Sequence, residues 1–277
     1  MKKTFFSIII FTTFLSANFI GINDGARSLG MGNAFVALSD GGSAIFYNPA
    51  GLARINQLSI AASLENPYGL SDLKSGMIAI SFPTPFIRTG FAIQQISLVD
   101  EYSEQIFYLS VAGIIKTKNI PIRFGGSIKY ESAKVENYEN AQNSSNIDLD
   151  LGILIDFTED LFFGYSIKHL LEPDFRFISN SDRLSKKQSI GIYYNWRNSV
   201  NFLADYIWDY NNSGWNLGSE FWFYDVFAAR LGMYNERLTA GFGLKTKKWS
   251  LDTATLSHEQ LGSTYRIAFG INIDKRK

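Results

Sequence analysis

Thr264-Tyr265-Arg266-Ile267-Ala268-Phe269-Gly270-Ile271-Asn272-Ile273-Asp274 reads, residue by alternate residue, as two different surfaces. Tyr265, Ile267, Phe269, Ile271 and Ile273 fall on one side, while Thr264, Arg266, Ala268, Gly270, Asn272 and Asp274 fall on the other. A side-chain period of two belongs to a β-strand, so the stretch predicts a strand with one greasy face and one polar face. The same alternation recurs upstream. Ile147, Leu149, Leu151, Ile153, Ile155 and Phe157 oppose Asn146, Asp148, Asp150, Gly152 and Asp156, and Ile122, Phe124, Ile128 and Tyr130 oppose Arg123, Gly125, Ser127, Lys129 and Glu131.

Extending this reading predicts about fourteen strands, at 57–64, 75–82, 86–99, 103–116, 121–132, 145–158, 161–170, 186–196, 199–209, 214–224, 226–234, 237–245, 248–258 and 263–274. That leaves about 16 residues per strand and connection, which suits spanning strands of roughly 9–11 residues joined by short turns. An alternating all-β chain has two outlets. Either the apolar faces meet in the core of a soluble sandwich, or they face lipid around a polar lumen.

Three features favour the second, an antiparallel transmembrane β-barrel. The polar faces mix Gly, Ser and Ala with charges of both signs, as a crowded lumen requires. Aromatics such as Phe162, Phe163, Trp196, Trp208, Trp215, Trp222, Tyr224 and Trp249 sit near strand ends, where interfacial girdles belong. The longest connections, 65–74, 133–144 and 171–185, all follow odd-numbered strands and so leave the barrel at one end.

Composition narrows the classes further. The chain has 277 residues, 26 basic against 26 acidic side chains, and no cysteine. Zero net charge argues against a nucleic-acid partner, and the missing thiols exclude disulfides, cysteine nucleophiles and zinc–thiolate sites. Residues 1–17 carry Lys2 and Lys3, an apolar run from Phe5 to Leu15, then Ser16 and Ala17, the order of a secretory signal peptide with cleavage expected after Ala17. Residues 18–56 do not alternate. Their small residues and glycines predict a compact segment of turns that sits in the lumen as a plug, leaving residues 57–277 for the barrel.

Within that segment, Gly25-Ala-Arg-Ser-Leu-Gly-Met-Gly-Asn-Ala-Phe-Val-Ala37 and Ser43-Ala-Ile-Phe-Tyr-Asn-Pro-Ala-Gly-Leu-Ala53 resemble the N-terminal region of the FadL superfamily, most closely its PorV/PorQ branch. The resemblance covers about thirty residues in detail and the remainder in outline. It implies a fourteen-stranded bacterial outer-membrane barrel, in contact with outer-membrane lipid, around an N-terminal hatch. The hatch motif would comprise Arg27, Gly30, Gly32, Asn48, Pro49, Ala50 and Gly51. It also implies one of two roles: passage of long-chain fatty acids or other hydrophobic small molecules through a gap in the wall, or service to a secretion system that exports proteins. The outer loops are short for a classical FadL protein, which favours the secretion role.

Along the third strand the apolar phase slips, from Ile87, Phe91 and Ile93 to Ile96 and Leu98, so a β-bulge or lateral opening is expected at Gln94 and Gln95. That placement tilts back toward transport, since the resemblance puts a lateral exit in this strand. Inward charges expected to neutralise one another include Arg123, Lys129, Asp148, Asp150, Asp156, Glu220, Arg230 and Arg266, and Arg27 is expected to latch the plug to an aspartate of the sixth strand. Catalysis is not indicated. His169 and His258 have no local partner pattern, Gly30-Met31-Gly32 follows no apolar strand, and no metal or cofactor is implied.

Overall fold

The computed structural model describes residues 25–117, 120–137, 143–176, 181–258 and 262–274. The expected signal peptide and residues 18–24 lie outside the described residues. The strands, in chain order, are β1 (Leu58–Asn66), β2 (Leu73–Pro83), β3 (Arg88–Leu98), β4 (Tyr102–Lys116), β5 (Pro121–Val135), β6 (Ser144–Asp156), β7 (Leu161–Lys168), β8 (Asp174–Arg176), β9 (Ser181–Arg183), β10 (Lys187–Trp196), β11 (Val200–Trp208), β12 (Ser213–Phe223), β13 (Phe227–Tyr234), β14 (Arg237–Lys245), β15 (Trp249–His258) and β16 (Gly262–Ile273).

Fourteen of these strands form one closed antiparallel barrel, running β1 to β7, then β10 to β16 and back to β1. The closing ladder pairs Leu58 with Ile273 and continues to Asn66 with Tyr265. Closure leaves no exposed sheet edge along these ladders, and in lipid an unpaired edge would be costly. The two faces follow the alternation. Ile147, Leu151 and Ile153 of β6 and Tyr265, Ile267 and Phe269 of β16 are exposed outside, whereas Asp148, Asp150 and Arg266 of the same strands are buried inside. An apolar exterior around a polar interior is the arrangement of a membrane barrel. Among the described residues no helix is long and apolar enough to cross a membrane, so the apolar surface belongs to the strands.

Residues 25–56 run through the interior. They form two short helices, α1 (Ala26–Gly30) and α2 (Ala44–Tyr47), and a 3-10 turn over Pro49–Arg54. Helices of 5 and 4 residues are too short to persist unaided, so the wall holds them. α1 packs on β13 to β16, and the 3-10 turn packs on β3 to β6. Phe35, Ile45, Phe46 and Leu52 bury their side chains in the core between segment and wall.

Wall glycines make this approach possible. Gly125 of β5 and Gly152 of β6 face each other across the ladder. A Cβ on Gly125 would lie 2.5 Å from the Ala50 nitrogen, and one on Gly152 would strike the Asn48 side chain. Gly164, Gly218 and Gly232 meet the backbone of Val36–Ala37, Met31 and Gly32 in the same manner. The segment's own Gly32 has φ +65° and lies against two wall carbonyls, a position that excludes any side chain.

The connections sort by end. Those at 84–87, 157–160, 197–199, 224–226 and 246–248 share one end with the chain's approach to β1. Those after β1, β5 and β7 emerge at the other end, although residues 138–142 and 177–180 lie outside the described residues. The stretch expected as a plain connection, 171–185, contains the β8–β9 hairpin. The rim at this end is stepped. β4 and β5 have 15 residues each and β6 has 13, but β7 has 8, and the β6–β7 ladder reaches only Leu151 opposite Ile167. Ser144–Asp150 of β6 therefore stand above β7.

Two expectations are corrected. No bulge occurs at Gln94 and Gln95: β3 pairs continuously with β2 from Arg88 to Leu98 and with β4 over the same span. The phase slip arises because Ile96 points inward and packs on the buried apolar cluster, so that part of the lumen is itself greasy. Nor is there a gap in the wall here. Gln94 lies inside and accepts a hydrogen bond from the Tyr108 hydroxyl at 2.5 Å, while Gln95 lies outside and accepts one from Gln105 at 3.2 Å. The second correction concerns Arg27, whose carboxylate partners are Asp40 and Glu220 of β12 rather than an aspartate of β6.

Candidate functional site

The chemistry of the chain is concentrated where the luminal segment meets the wall. Asn48 is fully buried and uses its whole amide. Its Oδ1 accepts from the Ala50 N–H at 3.1 Å, capping the 3-10 turn that begins at Pro49, while Nδ2 donates to the carbonyls of Val36 at 3.1 Å, Ile153 at 3.1 Å and Tyr165 at 3.3 Å. One side chain thus ties two parts of the segment to β6 and β7. Gly51 completes the motif by lying against Ser39. Lys168 adds a further tie by donating to the Phe46 carbonyl.

Opposite this staple, Arg27 makes the charged junction. Its Nε and one terminal nitrogen reach the two Glu220 oxygens at 2.8 Å each, a fork-to-fork pair, and the other nitrogen reaches Asp40 at 2.8 Å. Burial works against the Arg27 charge, but Asp40 and Glu220 outweigh it and hold its pKa well above the ordinary value. Glu220 also accepts from Arg230 at 2.8 Å and Asn201 at 2.7 Å, and Arg230 continues to Asp252 at 2.8 Å. Gly30 packs beside Arg230 and Gly241, so α1 sits directly on this network. Arg266 donates to the Gly25 carbonyl at 3.2 Å and pairs with Glu65.

The remaining charges form two groups. Arg123 pairs with Asp156, which also lies 3.6 Å from Arg54 of the segment. Lys129 sits among Asp148 at 2.8 Å, Asp150 at 2.9 Å and Glu131 at 3.0 Å. Glu131, Asp148 and His169 are close enough to share a metal ion, but the Lys129 ammonium already serves these carboxylates as their cation. Two contacts had no sequence signal: Asp205, whose Oδ2 accepts from the Phe35 and Val36 amides at 2.7 and 2.9 Å, and the Glu65–Arg266 pair.

Two regions flank the segment. Toward the stepped rim, Ile96, Tyr102, Ile106, Tyr108 and Ala133 of the wall meet Phe175 and Leu184 of the hairpin region in one apolar cluster. The Tyr108 ring meets Phe46 of the segment edge-on at 5.3 Å. Toward the short-turn end lies a cavity of about 460 Å³ lined by Arg27, Asp40, Arg54, Trp222, Arg230 and Lys245 among others.

No family model matches the sequence, and no curated protein is similar to it. Solved structures do match. The toluene transporter TbuX of Ralstonia pickettii is similar over 91% of this chain and 99% of its own, with TM-score 0.63 and 13% identity. The monoaromatic hydrocarbon channel CymD is similar over 92% and 99%, with TM-score 0.68 and 10% identity. A FadL homologue of Pseudomonas aeruginosa is similar over 90% and 98%, with TM-score 0.56 and 13% identity. What the chain shares with these proteins is their barrel fold.

Proposed function

We propose that this chain is a FadL-superfamily barrel of the bacterial outer membrane that passes hydrophobic small molecules, with residues 18–56 acting as its plug. The observation that carries the reading is the apolar cluster of Ile96, Tyr102, Ile106 and Tyr108 in the lumen between the segment and the outer rim. Wall residues facing lipid must be apolar, but residues facing a lumen have no such requirement, and a water-filled passage would be lined with polar groups. The fold shared with a toluene transporter and a hydrocarbon channel supports the same direction.

A PorV/PorQ-like accessory role in protein secretion is the second reading. The observation in its favour is the filled lumen, where Arg27 ties the segment to β12, Asn48 ties it to β6 and β7, and Arg266 of β16 holds it through the Gly25 carbonyl. In that case exported proteins or secretion components would bind the rim around 133–144 and 171–185. One paired experiment separates the two. Purified protein in detergent is titrated with radiolabelled toluene and dodecanoate, and tagged protein is used to recover envelope partners. Saturable binding that weakens at least tenfold in Ile96→Asn and Tyr108→Ala supports passage of hydrophobic molecules. Absence of binding, with specific recovery of secretion components, contradicts it and favours the accessory role.

A further inference from the structure

The step in the rim and the hairpin beside it fit together as a doorway and its door. Above Leu151, the β6 edge that would pair with β7 has no barrel strand beside it. The chain leaving β7 fills the place. Three successive amides dock on β6: His169 N–H donates to Asp150 Oδ1 at 3.1 Å, Leu170 N–H to the Leu149 carbonyl at 3.0 Å, and Leu171 N–H to Asp148 Oδ1 at 3.1 Å. His169 Nδ1 adds a contact to Asp148 Oδ2 at 2.8 Å. Higher up, Asn146 donates to the Asp174 carbonyl at 2.8 Å, and Arg176 N–H donates to Ser144 Oγ at 3.2 Å.

The attachment is polar along β6 and apolar toward the lumen. Lys129 holds the two β6 carboxylates in place from the neighbouring strand. His169 and Glu172 both adopt left-handed backbone, with φ of 54° and 50°. Neither is glycine, so each conformation is strained and is held by the docked contacts. Beyond this hinge the strap buries Phe175 and Leu184 in the apolar luminal cluster that also holds Ala133.

We propose that residues 169–176 and 181–186 are a releasable door over the step between β6 and β7, latched by Asp148 and Asp150, and that its opening exposes the apolar luminal cluster to the outside. The inference does not depend on what the barrel carries. A strap held to β6 by side-chain contacts and one backbone carbonyl, and to the lumen by Phe175 and Leu184, has no full β-ladder to the wall, so it can detach as a unit without breaking the barrel.

The absence of native cysteine makes a direct test possible. Ala133→Cys places one thiol beneath the door, and its labelling by a membrane-impermeant maleimide is timed in the detergent-solubilised full chain. In the otherwise native protein, labelling should be at least tenfold slower than at an exposed reference, Ser213→Cys. Asp148→Asn or His169→Ala should speed it at least tenfold, with heat-modifiable gel mobility confirming an intact barrel. If Asp148→Asn does not fold, His169→Ala carries the test. A tether between Asn146→Cys and Asp174→Cys, formed before labelling, should restore slow reaction in either background. Equal labelling rates in native and latch-variant proteins, or acceleration that survives the tether, would overturn the proposal.

Discussion

Asn48 and Arg27 do comparable work by different means. Asn48 accepts from one N–H and donates to three carbonyls at the junction of segment and wall, so Asn48→Ala is expected to destabilise the protein by about 1–3 kcal/mol, read as urea unfolding in lipid vesicles. Arg27 neutralises Glu220, which has no exposure of its own. Arg27→Ala leaves that carboxylate to Arg230 and Asn201 alone and should destabilise by about 3–5 kcal/mol. Arg27→Lys should recover only part of the loss, because an ammonium cannot repeat the two-pronged contact. A loss below about 1 kcal/mol in Arg27→Ala would show that the junction is not a latch. The sequence made Arg27 and Asn48 visible as motif residues but not their partners. Arg27 and Glu220 are 193 residues apart, and the β6 aspartates first assigned to Arg27 are taken by Lys129 and Arg123.

At the scale of elements, period two exposed every barrel strand, since each has lipid on one side. The reading failed where its premise failed. Ile96 looked out of phase only because the interior was assumed polar, and β8 and β9, with 3 residues each, are too short to show any period. The glycines were equally opaque. In sequence Gly125 and Gly152 are merely small residues on a polar face, and only the fold reveals Pro49 and Ala50 pressed against the wall there. Gly152→Val should therefore displace the segment rather than open the barrel, with overpacking of about 1–3 kcal/mol. Trypsin should then cut after Arg27 or Arg54 in folded protein, while the native chain resists; unchanged resistance would place the segment elsewhere.

For the whole molecule, balanced charge and ordinary hydrophobicity describe an inverted object, with Arg, Lys, Asp and Glu paired inside and aliphatic and aromatic residues outside. Leu231, outward and exposed on β13, should tolerate Phe but not Arg: Leu231→Arg is expected to destabilise the barrel in vesicles by about 2–4 kcal/mol at mid-membrane depth. Unchanged stability of Leu231→Arg in vesicles would contradict a lipid-facing position. The central claim, passage of hydrophobic molecules through a barrel plugged against polar solutes, is tested most directly by uptake. Cells with a low-permeability outer membrane, with and without this chain, are given radiolabelled toluene and a polar sugar of similar size. The account predicts faster toluene entry with unchanged sugar entry. Enhancement of both solutes, or of neither, would contradict it.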